Sequence, residues 1–158
     1  NRIGNNSSDW IKNIRMVKGC VKMTTSNIKD IINSDIHKVW ETVSAVGRYH
    51  EWRSDVSKTE LTDGKQFIEY TQNGYSTMFT ITKAEPPRRW ELDVENGHAK
   101  GHWSIEFTSK GSETQIDFTA SVEAKQLSTR PVGKSVFEQT YLKKAQTQFV
   151  TDLKKALA

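Results

Sequence analysis

The most regular hydrophobic pattern in the chain lies near its C-terminal end. Leu142, Ala145, Phe149, Leu153 and Ala156 recur at helical spacing, and Val136, Phe137, Tyr141, Val150 and Leu157 widen the stripe. The spacing predicts a helix over 132–157, set off by Pro131 and roughly 39 Å long at 1.5 Å per residue. Lys143, Lys144, Lys154 and Lys155 occupy much of its other side, and the last pair complements the helix C-terminal dipole. An apolar face this wide requires a large apolar partner, and the middle of the chain supplies a sheet.

Upstream, residues 24–32 alternate loosely and are rich in β-branched side chains, which predicts a first strand. Asn33-Ser34-Asp35 then offers an N-cap. Ile36, Val39, Trp40, Val43 and Val46 follow at the spacing of a helix with one buried face, ended by Gly47. Residues 48–52 form a bend or a short second helix carrying Tyr49 and Trp52. From Ser54 onward, Asn73-Gly74 and Asn96-Gly97 are strong hairpin signals, with Asp63-Gly64 and Lys110-Gly111 as weaker ones. The predicted order is therefore β-α-(α)-β6-α, an α+β chain.

Two-residue turns fix which residues face each other. Read that way, Tyr70 pairs with Thr77, Ile68 with Phe79, Leu92 with Gly101, Trp90 with Trp103, Ile105 with Ile116 and Trp103 with Phe118. The less tidy first hairpin pairs Leu61 with Gln66 and Thr59 with Ile68. The inward face then holds Ile68, Tyr70, Gln72, Tyr75, Thr77, Phe79, Ile81, Trp90, Leu92, Val94, Trp103, Ile105, Phe107, Ile116, Phe118, Ala120 and Val122. That face carries no titratable side chain suited to acid–base or nucleophilic chemistry. Arg89, Glu91, Asp93, His102, Glu106, Gln115 and Asp117 collect on the other face. Tyr70, Gln72, Tyr75 and Thr77 cluster at one hairpin end, where they either orient a ligand or reach solvent with their polar tips.

Charge changes the picture less than it first suggests. The net charge of +4 resides in residues 1–22, where Arg2, Lys12, Arg15, Lys18 and Lys22 stand against Asp9. The remainder is neutral, without the basic footprint that nucleic acid selects. Residues 1–22 contain no apolar run long enough for a secretion signal, but Trp10, Ile11, Ile14 and Val17 are spaced as on a short helix. They are expected to form an extension outside the core, with a single domain over 23–158; a short helix docked on the domain is the alternative. The lone Cys20 allows no internal disulfide and points to the cytoplasm. No spacing suits a metal, and glycines fall singly, so no phosphate loop is present. His37, His98 and His102 fall on solvated positions. His50, beside Trp52, is the one histidine placed for chemistry, against the plainer reading of an exposed loop residue.

Taken together, residues 24–157 resemble the SRPBCC superfamily, which unites START lipid-transfer domains, the birch-pollen-allergen family and polyketide cyclase-like proteins. The resemblance rests on residues 28–32 leading into Val39-Trp40, on Tyr49 and Trp52, on Glu85-Pro86-Pro87 before Trp90-Glu91, on Gly101-His102-Trp103 and on the terminal helix. It is strongest toward bacterial polyketide cyclase/dehydrase-like proteins. It implies a helix-grip fold, in which a seven-stranded curved antiparallel sheet wraps the long C-terminal helix around a cavity for an apolar ligand. No catalytic residue transfers by motif.

The expected function is binding or transport of a small hydrophobic molecule, lipid-like or aromatic, without cofactor, metal or integral membrane association. Its site would be Trp52, Ile68, Tyr70, Tyr75, Thr77, Phe79, Trp90, Leu92, Trp103, Ile105, Phe118, Ala120 and Phe149. A metal-free cyclase/dehydratase is the alternative. A protein-interaction module, like the regulators of a heat-shock ATPase that the resemblance also reaches, is a third reading.

Overall fold

The computed structural model describes residues 23–125 and 139–158. Strand β1 (Thr24–Ile32) leads into α1 (Ile36–Ser44) and a 3₁₀ turn (Val46–Glu51). Six strands follow: β2 (Lys58–Leu61), β3 (Gln66–Tyr70), β4 (Ser76–Glu85), β5 (Arg89–Glu95), β6 (Ala99–Lys110) and β7 (Glu113–Ala124). Helix α2 (Gln139–Ala156) closes the chain. The residues expected to start this helix, 132–138, and the extension 1–22 lie outside the described residues.

All strands join one seven-stranded antiparallel sheet in the order β1-β7-β6-β5-β4-β3-β2. The hairpins run consecutively from β2 to β7, and β1 is added beyond the last strand. Asp35 caps α1 as expected, its carboxylate accepting from the His37 and Lys38 amides at 3.0 and 3.2 Å. Gly47 does not end that helix; it sits within the 3₁₀ turn, and Ala45 is the C-cap.

The strands and their order are as the sequence predicts, but the pairing differs at every hairpin. In β3–β4, Tyr70 faces Ser76, Ile68 faces Met78 and Phe67 faces Phe79. Asn73-Gly74 is contained in a longer loop, where the Thr71 and Tyr75 backbones bond at 2.9 Å and the Thr71 hydroxyl accepts from the Tyr75 amide at 3.2 Å. This shifts the pairing by one residue and turns β3 over, so Phe67 and Glu69 point inward and Ile68 and Tyr70 outward. The β2–β3 pairing is shifted by one as well, with Leu61 opposite Phe67. Around Asn96 the shift is two residues, pairing Leu92 with Trp103 and Trp90 with Ile105. The Asn96 side chain accepts from the His98 and Ala99 amides at 2.8 and 3.0 Å and so holds a longer loop. The last turn is Gly111-Ser112, with Gly111 at φ 69°, which places Ile105 opposite Phe118 and Trp103 opposite Ala120. A shift of two preserves the face, so β5, β6 and β7 keep their predicted inner sides.

Helix α2 packs along β1 and β7. It buries Leu142, Gln146, Phe149, Val150, Asp152 and Leu153, whereas Ala145 and Ala156, expected on the buried stripe, are exposed. Gln146 is inside because β1 is an edge strand whose backbone needs partners. Its amide donates to the Ser26 and Phe118 carbonyls at 3.1 and 2.9 Å. Gln139 and Lys143 likewise donate to the Thr25 and Asn27 carbonyls, both at 2.9 Å.

Candidate functional site

The concave face of the sheet and the inner face of α2 meet in an aromatic cluster centred on Phe149. Its ring lies 5.5 Å from Trp52, 5.5 Å from Phe118 and 6.5 Å from Trp103, all edge to face. Trp103 in turn contacts Phe79 at 5.2 Å and Phe118 at 5.3 Å, and Phe79 stacks on Phe67 at 5.1 Å. These are the separations at which aromatic pairs attract beyond their area burial. The rings occupy the middle of the grip.

Of the thirteen residues expected at the site, Phe79, Trp90, Leu92, Ile105, Phe118, Ala120 and Phe149 are buried in the core, with Trp52 and Trp103 partly buried against it. Trp90 faces away from Phe149, toward α1, with its ring 5.7 Å from Trp40. Ile68 and Tyr70 are corrected by the β3 register: they stand on the outer face, where Lys58 Nζ lies 4.8 Å from the Tyr70 ring. Thr77 faces inward opposite Glu69, and Tyr75 projects from its loop, 44% exposed.

At one end of the grip the β3–β4 and β5–β6 hairpin loops meet. Tyr75 stacks on His98 of the neighbouring hairpin loop at 6.1 Å, and the Asn96 side chain reaches the Thr77 hydroxyl at 3.5 Å. Partial burial, with the nearby Tyr141 phenol, pushes the Tyr75 hydroxyl above its ordinary pKa. Tyr141, on the first described turn of α2, is itself exposed. Tyr75, His98 and Tyr141 thus form a polar, aromatic rim, and Trp103 is the inward-facing ring of β6 that keeps solvent contact behind it. His50 is exposed on the 3₁₀ turn.

The inner face is not free of charge, as the flipped β3 makes plain. Arg53 is buried, with its guanidinium between the rings of Tyr49 and Phe149 at 5.1 and 5.0 Å. It bonds Asp55 at 3.1 and 3.2 Å and Glu69 at 3.2 and 3.5 Å. Burial alone would lower the arginine's pKa; the carboxylates of Glu69 and Asp55 outweigh it and raise it. Burial dominates at Glu69 and holds its carboxyl above the ordinary value, against the opposing pull of Arg53. Beside this cluster, buried Asp152 of α2 accepts from the Ser54 amide and hydroxyl at 2.8 and 2.9 Å. One signal in the sequence pointed here: Phe67 is as good a partner for Phe79 as Ile68 is, and that pairing brings Glu69 inside.

The outer face carries a second network. His102 lies between Asp93 (Nδ1 to Oδ1, 2.8 Å) and Glu91 (Nε2 to Oε1, 3.0 Å), so it is held rather than merely solvated. Partial burial would lower its pKa; the hydrogen bonds to Asp93 and Glu91 prevail and raise it. Two clefts, of about 420 and 410 Å³, also lie outside the grip, one across the back of β4 to β7 and one beside Ile36, Pro87 and Phe107. Among the described residues, no group of three His, Cys, Asp or Glu is arranged to hold a metal, and no helix is long and apolar enough to cross a membrane.

The fold is shared by solved structures of low sequence identity. A START superfamily protein from Mycobacterium smegmatis superposes with a TM-score of 0.64 at 13% identity, covering 85% of this chain and 96% of that one. A conserved protein from Geobacillus kaustophilus gives 0.65 at 17% identity, covering 83% and 93%. The di-domain ARO/CYC BexL from the BE-7585A biosynthetic pathway gives 0.70 at 12% identity, covering 99% of this chain and 58% of that one. These likenesses establish the helix-grip, START-like fold. No protein of curated function matches the sequence significantly. The family model for polyketide cyclase / dehydrase and lipid transport proteins matches residues 22–158, and the chain belongs to that family.

Proposed function

We propose that the protein binds a small hydrophobic molecule at the hairpin end of the grip, with Trp103 as the inner wall and Tyr75, His98 and Tyr141 as the rim. The observation that carries this reading is Trp103 itself. It stands on the concave face, packs on Phe79, Phe118 and Phe149, and still keeps contact with solvent. An indole left partly wet at the edge of an apolar cluster is a surface on which an apolar ring or chain gains burial, and the rim phenols orient a polar end. Membership of a family described by lipid transport as well as by cyclase/dehydrase activity agrees with such a ligand. The aromatic cluster fills the centre, so the molecule sits toward the hairpin end rather than deep along α2.

Titration with an apolar fluorescent probe tests this. Trp103→Leu should weaken binding at least several-fold, while Leu61→Ser, on the remote edge strand β2, should leave it unchanged. Equal affinity in the Trp103 variant would dismiss the site. Native mass spectrometry of freshly purified protein then identifies the molecule.

One observation favours the cyclase/dehydratase reading as well: Glu69 faces inward with its carboxyl held above the ordinary pKa. A group poised that way can exchange protons nearer neutral pH. Glu69→Gln distinguishes the two readings. A carrier keeps its probe affinity and shows no turnover to lose; an enzyme keeps the affinity and loses turnover of a polyketide-like substrate.

A further inference from the structure

We propose that residues 1–22 dock in the cleft on the outer face of the sheet. The cleft lies across the back of β4 to β7, on the side opposite α2, and has a volume of about 420 Å³. Gly101 and Ser121 both line it.

Three observations select the occupant. Met23 lines the cleft and is 51% exposed, so residues 1–22 join the domain at the cleft's own wall. Met78, 40% exposed, adds a second apolar side chain to it. Single exposed methionines are unremarkable, but two in one hollow offer apolar area to the Trp10, Ile11, Ile14 and Val17 stripe. Five residues lie between Val17 and Met23, six Cα steps that reach up to ~20 Å when extended, enough to fold the stripe back onto the cleft.

Charge points the same way. Asp93, Glu95 and Glu123 line the cleft against Lys100 and His102. Residues 1–22 carry Arg2, Lys12, Arg15, Lys18 and Lys22 against Asp9 and hold the whole net charge of the chain. Opposed surfaces of this kind attract and fix orientation, and salt screens them. The occupant is thus a basic amphipathic segment of the same chain, seated on the face that carries neither the aromatic cluster nor the rim.

Paramagnetic relaxation on the full chain tests the proposal. With Cys20→Ser, the single cysteine introduced by Ser8→Cys carries a nitroxide label. Docking predicts broadening of the Met78, Thr80 and Ser121 amide signals at low salt. The broadening should be lost in 0.5 M salt (roughly a 4 Å screening length), with Asp93→Lys plus Glu123→Lys, and with Met78→Lys alone. All three positions are on the outer face, so the fold is expected to survive, which the unchanged dispersion of the core signals would show. Broadening centred on any other surface, or none at low salt, overturns the proposal. Broadening seen only when spin-labelled chains are mixed with isotope-labelled ones assigns the cleft to a second copy and overturns it as well.

Discussion

The sheet separates two ionic networks of similar chemistry and very different setting. Inside, Arg53 joins Asp55 and Glu69 with its guanidinium between two aromatic rings, and its side chain is only 2% exposed. Outside, Arg89 spans Glu91 and Glu106 at 3.3 and 2.6 Å, and His102 joins Glu91 to Asp93, with Glu91 18% exposed and the others 34–62%. The outer groups have water as an alternative partner, so each pair is worth little in stability. Arg53 and Glu69 have given up most of their hydration and depend on each other, so removing one leaves the other an uncompensated buried charge, while Asp55 stays 44% exposed. The same residue types therefore lock the 3₁₀ region and β3 together on one face and decorate the sheet on the other.

The largest effect should follow from breaking the inner network on one side only. Arg53→Met is expected to destabilise the fold by about 3–5 kcal/mol in urea denaturation, because Glu69 stays buried without its cation. Adding Glu69→Met should recover much of that loss; a double variant as unstable as the single one would contradict the account. The pH dependence has a definite sign. A carboxyl whose folded pKa lies above its ordinary 4.5 favours folding when protonated, and that contribution fades as pH rises through the folded value. Arg53→Met removes the group that pulls this value down, so the variant should gain stability between neutral pH and about pH 5, measured as a rising urea midpoint.

A smaller effect is expected at the clamp between α2 and the segment after the 3₁₀ turn. Asp152→Ala removes two hydrogen bonds from Ser54 to a buried carboxylate, and a loss of about 1.5–3 kcal/mol should appear in thermal unfolding. Ser54→Ala keeps the backbone bond and should cost less. On the outer face, Arg89→Ala breaks two ion pairs yet should change stability by less than about 1 kcal/mol. A value matching Arg53→Met would erase the distinction between the faces.

The smallest effect concerns His102. Its folded pKa is raised above 6.5, so its contribution is fully present below that value and is lost as pH rises through the folded one. The slope in stability should be slight for so exposed a pair and should vanish in His102→Gln. An NMR titration placing the His102 pKa at or below 6.5 would show that Asp93 and Glu91 do not hold the imidazolium.

How much of this was legible beforehand differs between strands. For β5, β6 and β7 the inner faces were correct although the pairings were off by two, because a two-residue shift leaves parity unchanged. For β3 an offset of one residue reversed the face. That removed Ile68 and Tyr70 from the expected site, brought in Phe67 and Glu69, and overturned the expectation of an inner face without charge. On α2, Phe149 and Leu153 were legible from spacing, whereas Gln146 was not, since its burial answers to the exposed carbonyls of an edge strand far away in sequence.

The sequence alone determined what local chemistry can encode: the order of elements, the Asp35 cap, the strands' alternation and the family likeness. Tertiary structure alone decided how many residues each loop absorbs, since Thr71 and Asn96 bond within their loops and lengthen turns that Asn-Gly would otherwise close. It also decided which face of β3 is inside and which ionic groups share the interior. A register is a single choice made for a whole strand, and burial on both flanking strands outweighs the preference of one dipeptide.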